Sequence, residues 1–173
     1  LNDRLLSCKP HLIILAGYMK LIPKEVVEAF KNKIINIHPG KLPEFGGKGF
    51  YGMNVHNAVI SSKVNSTAVT IHYVNEEYVK GLTIHEEPIE VYKDATAESL
   101  SKRVLSYEHK LYSKIINKTK INQVFVIGKF IKETYKGLKL NKKAQIISNK
   151  NDIINLINEN LNNNDYLMIK GSN

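Results

Sequence analysis

The sequence feature that most restricts the fold is a short run over 34–38, Ile-Ile-Asn-Ile-His, which Pro39 and Gly40 end abruptly. Isoleucines interleaved with polar residues over so short a span predict a buried strand. Side chains two apart lie on the same face of a strand, so Asn36 and His38 share a face. In open α/β sheets, ligands bind at the carboxyl ends of the strands. The pair is therefore placed where a site would form.

An amide and an imidazole at such an edge can act together on a carbonyl group. Asn36 would donate a hydrogen bond to the carbonyl oxygen, and His38, as an imidazolium, would donate a proton as negative charge develops. A strand-end histidine that only caps a loop is the alternative. An isolated Asn-x-His-Pro leaves that alternative open, because short motifs are weak signals.

The residues before this strand predict a βαβ unit. A continuous apolar run over 12–16 is typical of a central parallel strand. The helix predicted over 23–30 has proline in its first turn and carries Val26, Val27 and Phe30 on one face. Such a unit implies a right-handed crossover between parallel strands.

The later part of the chain predicts two more extended segments and a long helix. The extended segments cover 67–74 and 83–91, and a glycine-rich loop over 46–52 precedes a helix over 54–61. The long helix follows Asp94, with Thr96 as its N-cap. Its apolar residues recur at spacings of three and four and form one stripe of Leu100, Val104, Tyr107, Leu111 and Ile115.

Length and composition exclude several classes of protein. The 173 residues suffice for one medium domain, or for a domain with a small appendage. The net charge is +9, but the basic residues are spread along the chain, which disfavours a nucleic-acid partner. The single cysteine, Cys8, excludes an internal disulfide and a thiolate-rich metal site. The absence of a bilayer-length apolar run or a signal-like start predicts no membrane partner and a cytoplasmic protein; the oligomeric state stays unknown.

Several motifs in the same order resemble the glycinamide ribonucleotide formyltransferases. They are the Asn-Ile-His-Pro of 36–39, the Leu-Ala-Gly-Tyr-Met of 15–19, the glycine-rich stretch 46–53, the strand 70–76 and the Tyr-Glu-His-Lys-Leu-Tyr of 107–112. The resemblance runs from about Leu5 to Lys118. It implies an α/β fold with a mostly parallel sheet that lacks the N-terminal strands of the family.

The resemblance also implies an activity and a set of site residues. Formyltransferases of this family move a formyl group from 10-formyltetrahydrofolate to the amine of glycinamide ribonucleotide, without a metal. By resemblance, His38 and Asn36 are catalytic, Glu108 helps to hold the ribonucleotide, and the loop over 46–52 covers the reaction centre. Without the resemblance, a plain surface turn is the alternative for the loop and a solvated helix face is the alternative for Glu108. The implied folate pocket is lined, largely through backbone groups, by Met19, Lys20, Leu21, Ile22 and Asn36. Lys20 stands where an arginine is common.

Two departures from the family pattern leave the activity open. Nothing in the sequence corresponds to the family's N-terminal strands and phosphate loop, so if these residues are the whole protein, about a third of the domain is missing. Val79 stands where the family has an aspartate that raises the pKa of the catalytic histidine. Glu76 or Glu77 could substitute, the protein could be slow, or it could be a non-catalytic remnant. A formyltransferase that acts on another amine is a further alternative.

The chain beyond Lys118 changes character. A βαβ-like pattern resumes, with strands predicted over 124–128, 144–147 and 166–169 and a helix over 152–161. The pieces at 124–128, 152–161 and 165–173 resemble the C-terminal end of UDP-N-acetylmuramoyl-tripeptide–D-alanyl-D-alanine ligase. That ligase's ATP-binding loop has no counterpart here. The sequence therefore predicts a partial formyltransferase domain over 1–118 and a non-catalytic appendage over 119–173.

Overall fold

The structure of the protein is a computed structural model that describes residues 13–15, 21–75, 81–118, 124–127 and 132–147. Several residues singled out in the sequence lie outside these ranges. They are Met19, Lys20, Glu76, Glu77 and Val79, together with the helix and strand predicted after residue 151.

Four strands form the main sheet, in the order β1 (Ile13–Leu15), β2 (Ile34–His38), β3 (Ser66–Tyr73) and β4 (Thr83–Glu90). β1 and β2 are parallel and are joined through helix α1 (Lys24–Ala29), which confirms the predicted βαβ unit. β3 is antiparallel to both β2 and β4. The α/β class is confirmed, whereas the described strands form a mixed sheet and not a mostly parallel one. The connection from β3 to β4 is too short for a parallel crossover, which needs a dozen or more residues.

Helices cover both faces of this sheet. On one face, Ile35, Ile37, Val69 and Ile71 pack against helices α2 (Met53–Ser61) and α3 (Ala97–Lys118) in a single buried cluster. On the other face, α1 buries Val26, Val27 and Phe30 together with Ile22 and Ile34, as its predicted apolar face requires. Since side chains alternate along β2, Asn36 and His38 lie on the α1 side, beyond Ile34.

Helix α3 begins at the predicted cap. The Ser99 backbone N–H donates to Thr96 Oγ1 at 3.2 Å, and the Thr96 N–H donates to Ser99 Oγ at 3.0 Å. Such reciprocal bonds satisfy amide groups that the first helical turn leaves without partners. Among the helices that the structure describes, none is both long and apolar enough to cross a lipid bilayer.

A second, smaller sheet follows α3. β5 (Val124–Ile127) pairs in parallel with β6 (Lys143–Ile147), close to the two strands predicted there. Helix α4 (Lys132–Lys136) and a 3-10 turn (Leu140–Lys142), which the sequence pattern did not predict, lie between them. Both are shorter than the window in which a helical period can be recognised.

Candidate functional site

The Asn36 side chain is held by a histidine of the neighbouring strand. Asn36 and His72 are partners in the register of β2 and β3, and Asn36 Nδ2 lies 3.3 Å from His72 Nε2. His72 Nδ1 lies 2.9 Å from the Tyr73 carbonyl oxygen, which can only accept. Nδ1 therefore carries the proton, and Nε2 accepts from the Asn36 amide. This chain of bonds fixes which way the Asn36 amide points.

His38 is held by the loop that follows its own strand. Its Nε2 lies 2.7 Å from the Phe45 carbonyl oxygen, so this nitrogen carries the proton and donates. The Thr70 hydroxyl donates to the Gly40 carbonyl at 2.9 Å and ties the same loop to β3. His38 and Thr70 are partners in the register of β2 and β3. The carboxyl end of β2 is thus closed by two hydrogen bonds from the strands to one loop.

Three imidazoles at this site are neutral at pH 7. Burial lowers the pKa of His38 to about 4; the bond to Phe45 opposes this shift, and His72 and His56 add to it. Burial also lowers the pKa of His72 and of His56, and His56 Nδ1 is buried without a hydrogen bond in the described structure. The expectation of an imidazolium at position 38 is therefore corrected for the protein without substrate. Among the residues that the structure describes, no carboxylate is one of the groups that act on His38.

We expect these histidines to make the folded protein sensitive to acid. Because the pKa of His38 falls from 6.5 to about 4 on folding, the unfolded chain takes up the proton first as the pH drops. The contribution of the neutral His38 to the free energy of unfolding is complete above the ordinary pKa of histidine, and it is lost as the pH falls from 6.5 towards about 4. His38 alone accounts for about 3 kcal/mol of this loss, and His56 and His72 act in the same direction. Urea denaturation across this window measures it, and His38→Gln, which cannot titrate, should flatten the profile.

The other predicted site residues divide between described and undescribed parts of the chain. Ile22 is buried in the α1 cluster, Leu21 is exposed, and Met19 and Lys20 lie outside the described residues. Glu108 lies one helical turn before Tyr112 on α3.

Tyr112 connects that turn of α3 to the sheet. The Tyr112 hydroxyl donates to the Leu15 carbonyl at 3.0 Å, and Leu15 pairs with Asn36. Burial, and then the charge of Glu108, raise the pKa of Tyr112 well above its usual range. The Glu108 turn of α3 is therefore joined to the end of β1, next to the strand that carries Asn36 and His38.

His56, Thr70 and His72 lie at this site but belong to no motif that predicts a role for them. The alternation of β3 places Thr70 and His72 on one face, as it does Asn36 and His38 on β2. That signal was present, but the register that joins the two pairs is set by the folded sheet. Among the described residues, no group of histidine, cysteine, aspartate and glutamate side chains could hold a metal ion.

Fold and site together define an α/β protein in which an amide and a neutral imidazole are held side by side at the end of a central strand. Residues 1–116 match the sequence model of the family described as Formyl transferase. The chain therefore belongs to the formyl transferase family.

Relatives of known name agree with this assignment. The chain is 51% identical over 104 residues to the chloroplastic phosphoribosylglycinamide formyltransferase of Arabidopsis thaliana, a match that covers 60% of this chain and 36% of the relative. It is 31% identical over 116 residues to phosphoribosylglycinamide formyltransferase of Haemophilus influenzae, which covers 67% of this chain and 52% of that one. The crystal structure of the enzyme of that name from Streptococcus pneumoniae superposes with a TM-score of 0.59 at 29% identity, over 66% of this chain and 61% of that chain. The chain thus spans between about a third and three fifths of the length of these proteins.

Proposed function

We propose that this chain is part of a phosphoribosylglycinamide formyltransferase, which moves a formyl group from 10-formyltetrahydrofolate to the amine of glycinamide ribonucleotide. The observation that carries the proposal is the pair Asn36 and His38, with the Asn36 amide oriented by His72 Nε2 at 3.3 Å. The names of the relatives support the choice of substrate. We further propose that the partners are these small molecules, with no nucleic acid or membrane, in the cytoplasm; the name of the Arabidopsis relative calls that protein chloroplastic.

The proposed reaction needs charge to be stabilised on one oxygen. The amine nitrogen attacks the formyl carbon, a C–N bond forms, and the carbonyl electron pair moves to oxygen. The second N–H of the Asn36 amide and the Nε2–H of His38, once the Phe45 carbonyl releases it, would donate to that oxygen. The bond from the formyl carbon to the folate nitrogen then breaks, and that nitrogen takes the proton that the attacking amine loses. A neutral His38 supplies a hydrogen bond in this scheme and not a positive charge.

The substrates would lie on either side of this pair. We propose that residues 19–22 contact the folate, with Ile22 as the described residue that anchors this segment in the core. Glu108 would contact the ribonucleotide from α3, whose Tyr112 is bonded to the end of β1. Both assignments follow the resemblance.

Titration and a transfer assay test the proposal. The purified chain is titrated with a non-reactive analogue of 10-formyltetrahydrofolate, and formyl transfer is measured with glycinamide ribonucleotide and, separately, with glycinamide lacking the ribose phosphate. Saturable analogue binding and transfer to the ribonucleotide alone support it. Transfer to both amines at equal rates would favour another amine substrate, and a folded chain that neither binds nor transfers would refute the proposal.

Folate binding without formyl transfer is the second candidate, and the low pKa of His38 favours it. The resemblance places an aspartate in the family at position 79, where this chain has valine. We expect Val79→Asp to raise the pKa of His38 and to increase the transfer rate about tenfold or more. Val79→Asn, which is of similar size and uncharged, is the control. Equal rates for the two variants would show that a carboxylate at this position does not act on His38.

The His72 contact gives a separate prediction. His72→Leu removes the acceptor that orients the Asn36 amide, and kcat/KM for transfer should fall about tenfold, the effect of one lost hydrogen bond. His72→Gln can place an amide oxygen near the same point and should retain most of the activity. Equal losses in both variants would mean that His72 acts through packing. Analogue titration of each variant separates lost catalysis from lost binding.

A further inference from the structure

Helix α3 carries a second, polar stripe beside its apolar one. His109, Ser113 and Asn117 recur at spacings of four, so they lie on one face. His109 and Ser113 are buried, with 4% and 7% of their surfaces exposed. Buried polar side chains on a helix need partners. The Ser113 hydroxyl donates to the Lys110 carbonyl within the helix at 2.9 Å, whereas His109 and Asn117 have partners in residues 132–147, which we call the C-terminal segment.

Each residue of the stripe contacts this segment. His109 Nδ1 lies 2.7 Å from Thr134 Oγ1, and Thr134 is only 2% exposed. Asn117 uses both ends of its amide: Nδ2 donates to the Gly137 carbonyl at 2.9 Å, and Oδ1 accepts from the Lys139 N–H at 2.9 Å.

The backbone of the segment also approaches the helix closely at Gly137. A Cβ atom there would lie 2.6 Å from Ser113 Oγ and 2.9 Å from Ser113 Cβ. Only glycine fits this approach without a shift of the chain. The contact is therefore polar at His109 and Asn117 and close-packed at Ser113.

We propose that the C-terminal segment is a docked part of the formyltransferase domain, in which Thr134 and Asn117 are positioning residues that hold α3 in the rotation that presents Glu108. Neighbouring helix residues are about 100° apart around the axis. The stripe that begins at His109 therefore flanks the one that contains Glu108 and Tyr112. Because a helix rotates as a rigid element, bonds that fix the first stripe also fix the second.

This inference replaces the division into two parts that the sequence predicts. A separate appendage over 119–173 would leave α3 unchanged when its own contacts are altered. If the segment is docked, the stability of α3 depends on Thr134. Only the role of Glu108 rests on the proposed function. The docking of the C-terminal segment on α3, which we call the dock, does not rest on it.

Hydrogen exchange of the full chain tests the dock. Thr134→Val keeps the shape of the side chain but removes the hydroxyl, and exchange of the α3 amides from 109 to 117 should become about tenfold faster, as expected for one lost buried hydrogen bond. Thr134→Ser keeps the hydroxyl and should exchange like the parent. Gly137→Ala, which pushes the segment away from Ser113, should give the same acceleration. Faster exchange confined to 132–147, or no change in either variant, would overturn the dock.

Ligand titration tests the positioning of Glu108. Thr134→Val should weaken binding of glycinamide ribonucleotide about tenfold and leave the affinity for the folate analogue unchanged, since the proposed folate residues, 19–22 and Asn36, do not lie on α3. Equal weakening of both ligands, or of neither, would overturn the positioning role. If the parent chain binds no ribonucleotide, the proposed substrate and the role of Glu108 both fail, while the exchange result still decides the dock.

Discussion

Replacing His38 with alanine is expected to lower kcat/KM for formyl transfer by about 100- to 10,000-fold, and Asn36→Ala by about 100- to 1,000-fold. Each change removes a donor to the formyl oxygen of the proposed reaction: the Asn36 amide is already oriented by His72, and the Nε2–H of His38 becomes available once the Phe45 carbonyl releases it. His38 is 5% exposed, so water cannot readily replace it. Initial rates over a range of substrate concentrations measure the loss in kcat/KM, with analogue titration to show that the pocket is intact.

A histidine elsewhere on the same sheet provides the matched control for His38→Ala. His85 lies on β4, about two fifths exposed, with its Nε2 3.2 Å from Glu87 Oε2. An exposed pair of this kind contributes little to stability, and His85→Ala should leave transfer unchanged. If His38→Ala and His85→Ala gave equal rates, His38 would have no part in the chemistry.

Replacing Gly81 with alanine is expected to destabilise the fold by about 3 kcal/mol or more. A Cβ atom at this position would lie 1.6 Å from the Tyr73 carbonyl oxygen, which is backbone and cannot turn aside. The same backbone donates from the Tyr73 N–H to the Leu82 carbonyl at 3.0 Å, and the Tyr73 carbonyl accepts from His72 Nδ1. The substitution should therefore separate the ends of β3 and β4 and also disturb the orientation of the Asn36 amide. Urea denaturation at neutral pH measures the change in the free energy of unfolding.

A second glycine, Gly47, distinguishes the cost of a steric clash from the cost of backbone strain. Gly47 has a φ of +102° and open space where its Cβ would project. Gly47→Ala should therefore cost only the strain of that conformation, about 1–2 kcal/mol. A Gly81→Ala protein as stable as the Gly47→Ala protein would contradict the steric argument.

Much of the site could be predicted because its pattern is local. The alternation over 34–38 puts Asn36 and His38 on one face, and the apolar runs before it give the parallel β1 and β2. Thr96 is identified as a cap by its own position before a helical period, and the structure confirms it. Each of these features depends on residues within a few positions of one another.

The rest of the site depends on contacts between distant residues. The bond between His72 and Asn36 joins positions 36 apart, and that between His109 and Thr134 joins positions 25 apart. The apolar period of α3 identified its core-facing side, whereas the partners of the polar stripe beside it lie in the C-terminal segment, too far along the chain for a local pattern to indicate them. The protonation state of His38 could not be predicted from the sequence either. Its pKa of about 4 results from burial, which only the packed structure determines.

The neutrality of the three imidazoles has a consequence for the influence of salt. The Asn36 amide and the neutral imidazoles of His38 and His72 carry no net charge near pH 7. They therefore act on a formyl group through their dipoles. Mobile ions screen interactions between exposed charges strongly, and they affect buried groups much less. The rate of the chemical step should then be nearly independent of ionic strength. With the proposed substrate, a salt dependence of catalysis would report how the phosphate of glycinamide ribonucleotide is captured from solution, and not how its amine is formylated.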